Sequence, residues 1–132
     1  KYIFLMKKQI DSVKQFHKTY KIGYSEKPLA SLGNDKNRLR FKLMSEENDE
    51  YLAAADNNDM IEVADALGDM LYILCGTILE HGMQDLIEPV FDEIQKSNMS
   101  KLGEDGNPIF REDGKVMKGP NYFKPNFTKF FN

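Results

Sequence analysis

Nine of the twenty-six residues in the stretch from 44 to 69, MSEENDEYLAAADNNDMIEVADALGD, are Asp or Glu, and none is Lys or Arg. The spacing of these acids constrains the fold more than any other feature of the chain. At about 100° per residue, Glu46, Glu47 and Glu50 share an arc of a helix with Leu39, Leu43 and Ala54. Glu62, Asp65 and Asp69 share a second arc with Ala66, Ile73 and Gly76. Asp49 falls off the first arc, near Lys42. A solvated acidic face would lie opposite the apolar residues and would be interleaved with Lys or Arg. Here the acids share the faces that should meet other helices. Burying carboxylates without partners costs on the order of several kcal/mol each. A hard divalent cation, Mg²⁺ with Mn²⁺ as its substitute, is one way to neutralise them. A solvated or partner-bound acidic face is the other. Asp59-x-x-Glu62 also fits a capping box, which would use Glu62 for local structure.

Two better-known carboxylate sites fail on spacing. A di-iron bundle needs Glu-x-x-His pairs, and neither His17 nor His81 has a Glu three residues before it. An EF-hand loop starting at Asp56 would need Gly where Ile61 stands.

The rest of the chain reads as helices. Ile3, Met6, Ile10, Val13, Phe16 and Tyr20 recur at three- and four-residue steps, which predicts an amphipathic first helix. Residues 21–37 hold two Gly and a Pro and read as a loop. A second helix is expected over about 38–55, and a break at 56–58 with Asn58 or Asp59 as the next N-cap. A third is expected over 60–80, apolar nearly all round and therefore buried, closed by His81-Gly82. A fourth is expected over about 84–98. Beyond Ser100 the chain turns rich in Gly, Pro, Asn and aromatics, with Asp113-Gly114 placed for a short hairpin. The expectation is one all-α domain over 1–132, a four-helix core over about 3–99 with a C-terminal hairpin or extended appendage over about 100–132. Met6 is a candidate initiator, which would make Lys1–Leu5 an upstream remnant.

The chain has 132 residues and a net charge of −3, which gives no reason to expect nucleic-acid binding. Its single Cys75 cannot form an intrachain disulfide and fits a cytoplasmic setting. No apolar run is long enough to span a membrane.

Glu46-Glu47-x-x-Glu50 followed by Glu62-x-x-Asp65 resembles the EExxE…ExxD signature of the all-α nucleoside triphosphate pyrophosphohydrolases. That superfamily includes MazG-type enzymes, dimeric dUTPases, dCTP pyrophosphatases and phosphoribosyl-ATP pyrophosphohydrolases. The resemblance covers about residues 8–125. The tail SNMSKLGEDGNPIFREDGKVMKGPNYFKP is similar to that of a MazG-like subgroup related to phosphoribosyl-ATP pyrophosphohydrolase.

The resemblance implies hydrolysis of a nucleoside triphosphate, a dNTP or modified NTP, to the monophosphate and pyrophosphate. It implies Glu47, Glu50, Glu62 and Asp65 as metal ligands, with Glu46 a further ligand or the base that orients water. Asp69 is then a substrate contact or a support for the ligands. Asn98, Lys101, Lys115, Lys118 and Tyr122 are candidate phosphate contacts, although Lys115 and Lys118 also read as hairpin surface charges. Phe16 and His17 are candidate base contacts, against a core role for both. Arg38, Arg40 and Lys42 read as solvated helix-surface residues. Cys75 reads as an inert core thiol. A homodimer or homotetramer is implied. The alternatives are a phosphoribosyl-ATP pyrophosphohydrolase and a non-catalytic, metal-stabilised interaction protein.

Overall fold

The structure, a computed structural model, describes residues 6–131. The expectations about Lys1–Leu5, and about Ile3 in the first helix, lie outside the described residues. Among the described residues there are four α-helices, α1 (Lys7–Thr19), α2 (Asn34–Asp56), α3 (Met60–Glu80) and α4 (Ile87–Met99), a single 3-10 turn and no named strand. The chain divides into two compact units, one ending at Asp85 and the next beginning at Leu86.

In the first unit, α3 is the central element, and both α1 and α2 pack on it. From α1, Ile10, Val13 and His17 are buried; from α3, Ala66, Cys75, Gly76, Ile78 and Leu79. The α2–α3 connection uses Asn58 in the left-handed region at φ 53°, which Asn tolerates better than most residues. Asp59 is the N-cap, its Oδ1 accepting the Glu62 N–H at 3.2 Å.

Three expectations shift. Helix α2 begins one turn earlier than expected, at Asn34, because Gly33 at φ 93° turns the chain and its carbonyl accepts the Asn37 N–H. Helix α4 begins at Ile87, three residues late, after a turn over 84–86. Helix α3 is not buried all round: Leu67, Leu71 and Leu74 are 50%, 41% and 47% exposed, because α1 and α2 cover only part of its circumference.

The loop over 23–32 is fastened to the end of α3. Ser25 N–H donates to Leu79 O at 3.0 Å, and Leu29 N–H to His81 O at 2.9 Å. His81 Nδ1–H returns a bond to Leu29 O at 2.7 Å. Gly82 permits this approach, since a Cβ there would overlap the Lys27 carbonyl.

In the second unit the tail folds back along α4. Buried Glu93 accepts the Asn126 N–H at 2.9 Å and the Lys129 ammonium at 3.0 Å. Both contacts hold its carboxyl below the usual carboxylate range. The Ser97 hydroxyl donates to Phe123 O at 2.8 Å. The expected hairpin forms about Asp113-Gly114, with one antiparallel bridge between Phe110 and Val116.

Candidate active site

The inward stripe of α2 runs through Arg40, Glu47 and Ala54, at seven-residue spacing. It meets the stripe of α3 that carries Glu62, Asp65 and Asp69. Glu47 lies at the centre of the acids. Its carboxyl is pushed up to about 7, first by hydrogen bonding with Glu50, then by partial burial and by the charges of Glu50, Asp69 and Asp65. Its Oε2 is shut off from solvent with no hydrogen-bond partner. Toward the C-terminal end of α2, Glu50 and Ala54 open onto a cleft of about 230 Å³ that Asp59, Glu62 and Asp65 also line.

The structure thus brings Glu50, Asp65 and Asp69 within electrostatic range of Glu47, and places Glu62 on the wall of the adjoining cleft. Glu62 is the N3 residue of α3, yet only its backbone N–H takes part in the cap hydrogen bond to Asp59. Glu46 lies on the exposed flank of α2, 3.9 Å from Lys42 Nζ. It is not among the groups that act on Glu47.

The donor set fits a hard divalent cation. It consists of carboxylate oxygens, one of them buried and unpartnered, which repel each other until something positive joins them. Among the described residues no three such side chains already converge on a single point, so a cation would have to draw them in.

Two sequence-based assignments change. Arg40 is not a surface residue. It is 6% exposed, with Nε donating to Thr77 Oγ1 at 3.0 Å and Nη2 to Ile73 O at 2.9 Å, and with Nη1 3.1 Å from Glu80 Oε2. The helical wheel contained the signal, since Arg40 and Glu47 lie about 20° apart on it. His17 is 2% exposed, and its Nδ1–H donates to Gly23 O at 2.8 Å. Its Nε2 lies against Gly76, so the ring packs in the core.

Phe16 stays partly exposed, 5.6 Å from Tyr72 in an edge-on pair and 4.6 Å from Tyr20. The remaining candidates, Asn98, Lys101, Lys115, Lys118 and Tyr122, lie in the second unit. Lys101 and Tyr122 are half-buried and the other three are exposed, with Lys118 Nζ 5.0 Å above the Tyr122 ring.

Fold and site together define an all-α protein whose two central helices face each other across a carboxylate-lined groove. The chain belongs to the phosphoribosyl-ATP pyrophosphohydrolase family, whose model matches residues 13–98. This is one of the families of the superfamily that the EExxE…ExxD signature resembles, and its members are pyrophosphohydrolases. A solved structure from Exiguobacterium sp. 255-15, provisionally named an NTP pyrophosphohydrolase, is 29% identical over 89% of this chain and 88% of its own, with a TM-score of 0.46. No curated protein matches the sequence. Among the described residues no helix is long and apolar enough to cross a membrane.

Proposed function

We propose that the protein is a metal-dependent pyrophosphohydrolase that adds water across the α–β anhydride of a nucleoside triphosphate, releasing the monophosphate and pyrophosphate. One observation carries this reading: Glu47 on α2 is set beside Glu50 and against Asp65 and Asp69 on α3, and among the described residues no cationic side chain is one of the groups acting on it. A triphosphate carries about four negative charges at neutral pH, and such a groove alone would repel it. Mg²⁺ held there would supply Lewis acidity and make bound water more acidic.

Glu47, Glu50, Glu62 and Asp65 are the proposed ligands. Glu47 is also a proposed catalytic residue, a carboxylate beside the attacking water. Glu46 remains a proposed further ligand or water-orienting base, and Asp69 a substrate contact. Asn98, Lys101, Lys115, Lys118 and Tyr122 are proposed phosphate contacts. Phe16 is a proposed base contact, since its ring is accessible. The exposed Leu67, Leu71 and Leu74 support a homodimer or homotetramer. The −3 charge supports a substrate other than nucleic acid, and the lone thiol supports a cytoplasmic setting.

A second reading, phosphoribosyl-ATP as the substrate, is favoured by the match to the family of that name. Pyrophosphate release should be measured with Mg²⁺ or Mn²⁺ on canonical and modified NTPs and dNTPs and on phosphoribosyl-ATP, beside Glu47→Gln. We expect turnover on at least one triphosphate and a loss of at least ~100-fold in the variant. Turnover confined to phosphoribosyl-ATP would select the second reading. Metal binding without turnover on any substrate would refute both and leave a metal-stabilised interaction protein.

A further inference from the structure

The register of α2 on α3 can be read from the side chains that face each other. Arg40 meets Ile73, Thr77 and Glu80; Glu47 acts with Asp65 and Asp69; Glu50 shares a cleft with Glu62 and Asp65. Each step toward the C-terminus of α2 is matched by a step toward the N-terminus of α3, so the two helices run antiparallel. This register sets carboxylate against carboxylate, and like charges at such range oppose it. A slide or roll of one helix would relieve the repulsion, so something else must hold the register.

Arg40 has the geometry to do so. Among the described residues it is the one buried Lys or Arg. It lies two turns before Glu47 on the same stripe, ~10 Å along the helix axis. All three of its guanidinium nitrogens are engaged, and their partners span two turns of α3 from Ile73 to Glu80. A rigid planar fork with three separate anchors resists both axial slip and rotation; a single-point contact would resist neither. Glu80 is held in turn by Lys36 from α2, at 2.9 Å. Gly76 makes the slot for the fork, since a Cβ there would lie 2.8 Å from Arg40 Nη2 and 2.7 Å from His17 Nε2.

We propose that Arg40 is a positioning residue for the acidic groove: its guanidinium fixes the register that keeps Glu47 and Glu50 facing Asp65 and Asp69, close enough for a cation to draw them together. This rests on the metal-dependent reading above. It separates Arg40 from an ordinary buried ion pair, which would affect stability alone.

The test is the Mn²⁺ dissociation constant, measured by calorimetry on the substrate-free protein, with circular dichroism to confirm folding. Arg40→Lys keeps the charge and loses the fork. We expect Mn²⁺ binding at least ~10-fold weaker in folded Arg40→Lys, as for residues that support metal ligands elsewhere. Turnover should recover at high Mn²⁺, because the ligands themselves are intact. Thr77→Val removes one anchor and keeps the volume; it should weaken binding about threefold, with Thr77→Ser restoring it. If Arg40→Lys fails to fold, the threonine pair decides. Wild-type Mn²⁺ affinity in the folded variants, even with a lowered melting temperature, would overturn the proposal. A wild-type protein that binds no Mn²⁺ would instead overturn the metal-dependent reading beneath it.

Discussion

Gly76 and Gly68 lie two turns apart on α3, and the same substitution at each should have opposite effects. Gly→Ala in a helix interior is ordinarily stabilising by about 0.5–1 kcal/mol, because alanine restricts the unfolded chain and favours the helix. At Gly68 the added methyl meets nothing within 4 Å, so Gly68→Ala should show that gain. At Gly76 it would lie 2.7 Å from His17 Nε2 and 2.8 Å from Arg40 Nη2, inside ordinary contact distance on two sides. Neither neighbour can give way cheaply. The His17 ring is tied to Gly23 O at 2.8 Å, and the guanidinium has three partners.

Overpacking of this kind costs about 1–3 kcal/mol, and displacing a hydrogen bond of a charged group about 1.5–3 kcal/mol more. After subtracting the helix gain, Gly76→Ala should lose roughly 1.5–5.5 kcal/mol. Unfolding 132 residues at about 2.1 cal/mol/K each gives an entropy near 0.28 kcal/mol/K, so the melting temperature should fall by roughly 5–20 °C. Thermal melts of both variants, followed by circular dichroism at one protein concentration, would check this. If Gly76→Ala melts within about 2 °C of Gly68→Ala, the slot is not filled as described and the Arg40 guanidinium is not seated in it.

Two more outcomes follow from the titrating groups. Glu47 is pushed up to about 7 from an ordinary value of 4.5, so without metal the folded chain holds a proton that the unfolded chain has released. Stability of the metal-free protein should therefore decline as pH rises from about 4.5 to about 7. Thermal melts in EDTA should show the decline, Mg²⁺ should reverse it most strongly at pH 8, and Glu47→Gln should flatten it; a stability that rises across that window would contradict the like-charge account. Cys75 has no exposed surface, and burial pushes its thiol up, so it should resist a thiol reagent under native conditions and react on unfolding. Fast labelling of the native protein would refute its burial.

Some of this was legible in the residues because it is periodic. The bounds 60–80 for α3 follow from an Asp N-cap and a Gly-containing end, both local signals. The stripe that puts Glu62, Asp65 and Asp69 on one side of α3 follows from helix geometry alone. The hairpin at Asp113-Gly114 follows from turn chemistry. The start of α2 is not legible because residues 34–37, NDKN, carry no apolar stripe; the turn is set by the conformation of Gly33. The partial exposure of α3 is not legible because composition says how apolar a helix is, and only its neighbours say which sides are covered.

The sequence by itself determined the chemistry available: carboxylates at helical spacing, without a cation among them, on two helices joined by a three-residue break. Helix geometry makes that unavoidable once the helices form. Only the tertiary structure decided which acids meet. The antiparallel register puts Glu47 and Glu50 against Asp65 and Asp69 and leaves Glu46 on the flank beside Lys42. It also turned Arg40 from an apparent surface charge into the buried clamp of that register, and His17 into part of the core. Register depends on contacts between residues more than thirty positions apart, such as Arg40 with Thr77, and local spacing carries no information about them.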